Sequence, residues 1–349
     1  MRTIGLVGTG LMGGHHTWAL QSLQRAGLVN ARVTHVHDLD PERARAFAGD
    51  HGVEAAADLA SLVAAVDVVW ITTWTAGHLA PAVAAAAAGK AVFVEKPLAP
   101  TLAECLELAE VLRPVPHQVG LILRHAPAYR LLVQLVQSGT YGRPMAALFR
   151  DDQRFPLDGP YGSTWRAEVT KAGGGTLIEH SVHDVDVLAW ALGTPVAVSA
   201  HLTAFAGKPG IEDMAQVRLE FAGGHSASLV SVWHRVEGRT TNRRIEIFCE
   251  DAVLWMDGEV GPVQVQTSAG VEQHDAPFPA ILDGLGLAAL PDTWREAAAG
   301  LALQAKAFLD GLDDGKPGWP SVDDALLAHR VVDAAYRCAA GQGAPVALT

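Results

Sequence analysis

Residues 3–13 read Thr-Ile-Gly-Leu-Val-Gly-Thr-Gly-Leu-Met-Gly. A short apolar run meets Gly8, Gly10 and Gly13 in the spacing G-x-G-x-x-G, with Leu11 and Met12 between the last two. Residues 3–7 predict a strand, and residues 16–26 a helix. Glycines at such a junction permit a tight turn and let the backbone approach a pyrophosphate, whose charge the helix N-terminus attracts. Asp38 closes the next apolar segment, residues 32–37. A carboxylate there takes both ribose hydroxyls of NAD and repels a 2′-phosphate, so NAD is expected in preference to NADP. Strand, turn, helix and terminal acid together supply the context that a lone glycine motif lacks.

Outward from the turn, strands and helices alternate. Asp40 caps a helix with Pro41 in its first turn, where a missing N–H costs nothing. Residues 67–72 form a third strand, apolar without alternation, as suits a strand covered on both faces. Residues 77–88 predict a helix closed by Gly89, and residues 91–95 a fourth strand. Thr101-Leu102-Ala103-Glu104 is a capping box that opens another helix. Residues 117–123 are one more strand. This alternation predicts a doubly wound parallel sheet, a Rossmann domain of residues 1–123.

The pattern then changes. Residues 127–137 predict a helix ending at Ser138-Gly139. Residues 154–171 read as a long loop. Gly173-Gly174-Gly175 precedes a helix that ends at Gly193. Residues 197–204, 214–221, 226–233, 244–249 and 263–267 read as strands of a large open, mostly antiparallel sheet. Two helices close the chain, residues 294–311 and 322–339, the second capped by Ser321. The expected second domain, residues 124–349, is therefore α/β, with a cleft between it and the first.

Composition narrows the function classes. The chain has 349 residues and a formal charge of −12. A nucleic-acid partner or an anionic membrane surface is therefore not expected. Cys105, Cys249 and Cys338 are far apart and odd in number, which argues for a reducing compartment; a cytoplasmic protein is expected. The N-terminus reads as a strand rather than a signal peptide. The longest apolar stretch, residues 79–94, is interrupted by Pro81, Gly89 and Lys90 and is too short to span a bilayer.

Three further groups carry chemistry. Glu95-Lys96-Pro97 ends an apolar strand, the edge where doubly wound sheets place ligands. Lys96 there is either a substrate donor or a solvated lysine paired with Glu95. Thr72-Thr73-Trp74 and His78 follow another strand end and are candidates to line the cofactor site; His78 reads equally well as a packing residue. In an unbroken helix after the triple glycine, Glu179, His183 and Asp186 would share one face. A carboxylate–imidazole–carboxylate face is costly to bury unless it is paired or working. Histidine is the natural base near neutrality. No H-E-x-x-H pattern is present, and no metal is expected. His15, His35, His37, His51 and His329 read as surface residues.

The ordered set of motifs resembles the Gfo/Idh/MocA family, that of glucose–fructose oxidoreductase and inositol 2-dehydrogenase. It comprises Gly8 to Gly13 followed by His16, Asp38-Leu39-Asp40-Pro41-Glu42, Ala88-Gly89-Lys90, and Glu95-Lys96-Pro97-Leu98. It continues with Arg124-His125-Ala126-Pro127-Ala128-Tyr129, Ser138-Gly139, Trp165-Arg166 and the triple glycine with its helix. The resemblance implies an NAD-dependent oxidoreductase that moves a hydride between a secondary alcohol of a sugar, cyclitol or related polyol and the nicotinamide. It implies that Lys96, Glu179 and His183 match the catalytic lysine, acid position and histidine. The acid is more often Asp, and Trp74 stands where the family usually has Pro. Arg124, Trp165, Arg166, Trp233 and His234 are the expected cleft wall. A homodimer or homotetramer through the open sheet is implied as well. Two other readings stay open: a lyase or glycosidase that oxidises transiently with tightly held NAD, and a non-catalytic NAD-binding regulator, against which the presence of both Lys96 and His183 argues.

Overall fold

The computed structural model describes residues 1–157, 162–239 and 241–348. Their contacts divide the chain into two compact units, residues 1–122 with 279–326 and residues 123–278 with 327–349. The sequence reading cuts the chain once, at 123/124, whereas the contacts return residues 279–326 to the first unit.

The first unit opens with β1 (Arg2–Val7), α1 (Leu11–Arg25), β2 (Ala31–His37), α2 (Pro41–His51), β3 (Glu54–Ala55) and α3 (Leu59–Ala65). It continues with β4 (Val68–Ile71), α4 (Leu79–Ala87), β5 (Ala91–Val94), α5 (Leu102–Leu112) and β6 (His117–Val119). The six strands are parallel in the order β3-β2-β1-β4-β5-β6. This is the doubly wound order, and its direction reverses between β1 and β4. Every residue of β4 and β5 is buried, which accounts for their unbroken apolar runs.

Helix α1 starts at Leu11, five residues before its expected start, because the glycine turn itself winds into the helix through Gly14 N–H to Gly10 C=O at 3.0 Å. The caps at Asp40 and Thr101 form as read. The expected strand over residues 117–123 stops at Val119, and a 3₁₀ turn, Ile122–His125, follows. The short β3 and α3 were not anticipated. Asp58 caps α3 by accepting from Ser61 N–H at 2.7 Å.

The second unit contains α6 (Pro127–Gln137), β7 (Pro144–Arg154), α7 (Val169–Ala172), α8 (Thr176–Glu179), α9 (Val182–Leu192), β8 (Pro195–Thr203) and β9 (Met214–Phe221). β10 (Ser226–His234), β11 (Asn242–Cys249), β12 (Val253–Asp257), β13 (Val263–Thr267) and β14 (Gly270–His274) follow. After them come α10 (Asp292–Asp313), α11 (Val322–Ala340) and β15 (Val346–Ala347). Nine strands pair in the order β14-β13-β12-β11-β7-β10-β9-β8-β15. All neighbours are antiparallel except β7 and β10. Alternating burial along β9, β10 and β11 shows one face of the sheet covered more than the other.

Strand β7 was missed. The sequence reading assigns no element between Gly139 and Arg154; the strand's second half, Arg150-Asp151-Asp152-Gln153-Arg154, is polar, yet Asp151 is fully buried mid-sheet. The single helix expected after the triple glycine is two helices. Ser181 N–H reaches back to Thr176 C=O at 2.9 Å and ends α8, and Asp184 N–H to Ser181 C=O at 3.0 Å begins α9. The shared face of Glu179, His183 and Asp186 on one continuous helix is therefore corrected.

Helix α10 joins the first unit for several reasons. Arg2 donates to Leu312 C=O at 2.7 Å, Lys306 to Leu28 C=O at 3.2 Å, and Gln118 to Gln304 C=O at 3.0 Å. Phe308 packs against the rings of Trp70 and Phe93. Among the described residues, no helix is long and apolar enough to cross a membrane.

Candidate functional site

In the first unit the glycine turn is shaped from both sides. Gly8 has φ +96°, and a Cβ there would press on the backbone of Thr72 and Thr73. A Cβ on Gly13 would strike Gly8 C=O, whereas one on Gly10 would meet nothing within 4 Å. The turn is thus closed against the protein at its ends and open in the middle. Thr72 pins it by donating its hydroxyl to Gly8 C=O at 2.8 Å. Gly10 caps α1 with no side-chain hydrogen bond, so the first-turn N–H groups remain for an anion. Leu11 is exposed and Met12 half-buried at this edge.

Asp38 stands at the end of β2. Its Oδ2 accepts from Thr9 N–H and Thr9 Oγ1, each at 2.9 Å, and its Oδ1 accepts from Asp40 N–H at 3.0 Å. Partial burial acts to raise its pKa, but the bonds from Asp40 and Thr9, with help from the Arg43 charge, hold it below the ordinary aspartate value. Open room at Gly10 and an ionised acid at Asp38 fit a pyrophosphate and an adjacent ribose.

β4 and β5 end at the same edge. Thr73 and Trp74 are half-buried there, and Thr73 donates to Trp74 C=O at 3.1 Å. His78 is only 1% exposed, its ring nitrogens 3.1 Å from Leu98 C=O and 3.3 Å from Thr73 C=O. The expected cofactor-lining role is corrected to the packing one: the ring ties two loops together from beneath. After β5, Lys96 is half-buried and Pro97 buried. Glu95 is buried as well, with Oε1 2.8 Å from His16 Nε2 and Oε2 accepting Lys96 N–H at 3.1 Å.

In the second unit the triple glycine has a structural reason. A Cβ on Gly175 would overlap the Glu212 backbone. The Glu212 carboxylate accepts Gly175 N–H at 2.8 Å and Leu177 N–H at 3.0 Å, and Tyr336 donates its hydroxyl to it at 3.0 Å. This fixes α8 and, at its end, Glu179. Glu179 is 2% exposed and accepts from Arg166 Nε at 2.9 Å. Arg166 also donates to Ser163 Oγ at 2.7 Å and lies 4.5 Å over the Trp165 ring. Glu179, Arg166 and Trp165 thus form one group. His183, on the first turn of α9, is buried.

Of the other expected wall residues, Trp233 lies in the apolar cluster against which Trp165 packs, whereas Arg124 is drawn to Asp186. Arg124 is held in a two-pronged buried pair with Asp186, at 2.9 and 2.8 Å, which removes Asp186 from the Glu179 group. Trp233 is 4% exposed, packs edge-on against Phe155 and donates to Gln153 Oε1 at 3.1 Å. Both are core groups in the structure. His234 lies 3.4 Å from Asp152. His329, read as a surface residue, is 3% exposed.

Sequence reading missed three groups: Glu212, the His16–Glu95 pair, and a buried cluster of Asp151, His180, Asp184 and Arg243. Each is closed by a bond between residues at least 37 positions apart, where no local pattern exists. The cues were adjacency alone: His180 and Asp184 to the predicted acid and histidine, Glu95 to Lys96, and His16 to the glycine turn.

Residues 2–121 match the oxidoreductase family with an NAD-binding Rossmann fold, and residues 129–255 match the GFO/IDH/MocA C-terminal domain. Inositol 2-dehydrogenase 3 of Saccharopolyspora erythraea is 28% identical over 99% of this chain and 95% of its own length. An inositol 2-dehydrogenase of Pseudomonas fluorescens is 31% identical over 95% of this chain and 92% of its own. A levoglucosan dehydrogenase solved with NADH and levoglucosan superposes with a TM-score of 0.86 at 24% identity, over 100% of this chain and 99% of its own.

Proposed function

The chain belongs to the GFO/IDH/MocA family of NAD-binding oxidoreductases, and from that premise we propose that it oxidises or reduces a secondary alcohol of a cyclitol or sugar. The observation that carries the reading is the edge where parallel β1, β2 and β5 end. It brings the open glycine turn, the ionised Asp38 and Lys96 to the ligand side of one sheet.

The turn from Gly8 to Gly13 and Asp38 would hold NAD, which when bound supplies the hydride acceptor or donor. The chain's own groups manage the proton. His183 takes it from the substrate hydroxyl, and Lys96 Nζ hydrogen-bonds the developing alkoxide. Glu179, held by Arg166, orients a neighbouring hydroxyl as an acceptor.

NADH fluorescence across a panel of cyclitols, sugars and their acids, run in parallel with NADP, tests the reading. Net NADH formation on at least one polyol is expected. On that polyol, Lys96→Ala and His183→Ala should each lower kcat by about 10²-fold or more, with NADH affinity little changed. Full turnover in either variant, or product formed without net NADH, would overturn it.

The less covered face of the nine-stranded sheet is the proposed face for a homodimer or homotetramer, to be checked by light scattering. A reducing, cytoplasmic setting fits three buried free cysteines.

A further inference from the structure

The side chain of Trp70, on β4, has one polar group, its indole N–H, which is a donor only. It points at His16 Nδ1 over 3.1 Å. Nδ1 must therefore accept, which leaves the ring hydrogen on Nε2. That nitrogen faces Glu95 Oε1 at 2.8 Å. The other Glu95 oxygen takes the Lys96 amide. A chain of directed bonds thus runs from Trp70 through His16 and Glu95 to the Lys96 backbone.

The surroundings leave it no alternative arrangement. Trp70 and His16 are fully buried. Phe93 stacks on Trp70 with centroids 4.0 Å apart and tilts against His16 at 5.2 Å. At the end of β6, a Cβ on Gly120 would lie 2.6 Å from Glu95 Oε1, so glycine there makes room for the carboxylate. The titratable groups acting on Glu95 are His16 from α1 and Lys96 beside it; β4 and β6 present Trp70 and Gly120. Burial opposes ionisation of Glu95, but the His16 bond and the Lys96 charge hold it below the ordinary glutamate value.

We propose that Trp70 and His16 are positioning residues that lock Glu95 as a carboxylate and, through it, set the placement and charge of Lys96. The proposal rests on Lys96 acting on substrate as above. An ionised Glu95 favours the ammonium form of Lys96, the form that donates to an alkoxide.

Two measurements test it on the full-length protein. The first needs no activity. A ¹⁵N-histidine spectrum should show His16 with its hydrogen on Nε2, and Trp70→Phe should change the Nδ1 signal while preserving the stack; a hydrogen on Nδ1 would overturn the proposal. The second uses the best polyol of the panel. Trp70→Phe should lower kcat about ten-fold and Glu95→Gln by more, with KM nearly constant and the alkaline limb of kcat moved to lower pH in both. The double variant should be no worse than Glu95→Gln alone, since both act through one carboxylate. Unmoved alkaline limbs, or fully additive losses, would overturn it. If Lys96→Ala kept full turnover, the functional reading would fall, and the histidine spectrum would still decide the lock.

Discussion

Asp38 holds three hydrogen bonds from Thr9 and Asp40 within the chain itself. The acid is therefore fixed and charged, and in the proposed ribose site a 2′-phosphate would meet its charge. Asp38→Ser removes that charge and keeps a small polar group. It should weaken NADH binding about ten- to a hundred-fold and narrow the preference over NADPH by a similar factor. Fluorescence titration with both cofactors checks this; an unchanged ratio would remove Asp38 from the ribose site. The strand end that carries Lys96 and the glycine-led segment that carries His183 were legible because an apolar run and turn glycines are local signals. The pairings were not: Arg166 with Glu179 and His16 with Glu95 meet only through the fold.

At the scale of elements, the break between α8 and α9 is held from β11 and β7. Arg243 donates to Asp184 Oδ1 at 2.7 Å and to His180 Nε2 at 3.0 Å, and it also contacts Asp151 and Glu259. Because Arg243 only donates, His180 carries its hydrogen on Nδ1, which faces Asp151 at 2.8 Å. Ser181 donates to Asp151 at 2.9 Å. The residues at the break are thus drawn toward the sheet, and a continuous helix would lose these bonds. Removing the guanidinium would leave buried carboxylates unpaired, so Arg243→Met should cost about 3–5 kcal/mol in urea unfolding.

Three carboxylates around one arginine leave excess negative charge. Burial first, then the Asp151 charge, push Asp184 up from 3.8 to about 7 against the pull of Arg243. Folded Asp184 thus keeps a proton that the unfolded chain releases near 3.8. Its contribution to stability is whole below that pH and is lost as pH rises through about 7. Asp184→Asn has no such dependence. The variant should gain on the parent as pH rises across this window and level off above it; thermal unfolding at several pH values shows whether the gap moves that way.

For the whole molecule, residues 279–326 decide whether the dinucleotide unit stands alone. Leu301, Phe308 and Leu309 of α10 are almost completely buried, and Phe308 meets Trp70 and Phe93. Exposing three such side chains costs about 5–9 kcal/mol, comparable to the whole stability of a domain. A fragment of residues 1–122 should therefore show no cooperative unfolding, whereas residues 1–122 joined by a short linker to 279–326 should recover it. Cooperative melting of the short fragment by calorimetry would refute this. The amino-acid sequence alone determined the doubly wound parallel sheet, its glycine turn, and the strand-end positions of Asp38 and Lys96. Turn glycines, caps and apolar runs act over a few residues, so their consequences are written locally. Tertiary structure alone decided that polar β7 lies mid-sheet, that α8 and α9 part at His180-Ser181, that α10 completes the first unit, and that Trp70, His16 and Glu95 form one chain. Each of these depends on burial and charge pairing between distant segments, for which a linear pattern holds no signal.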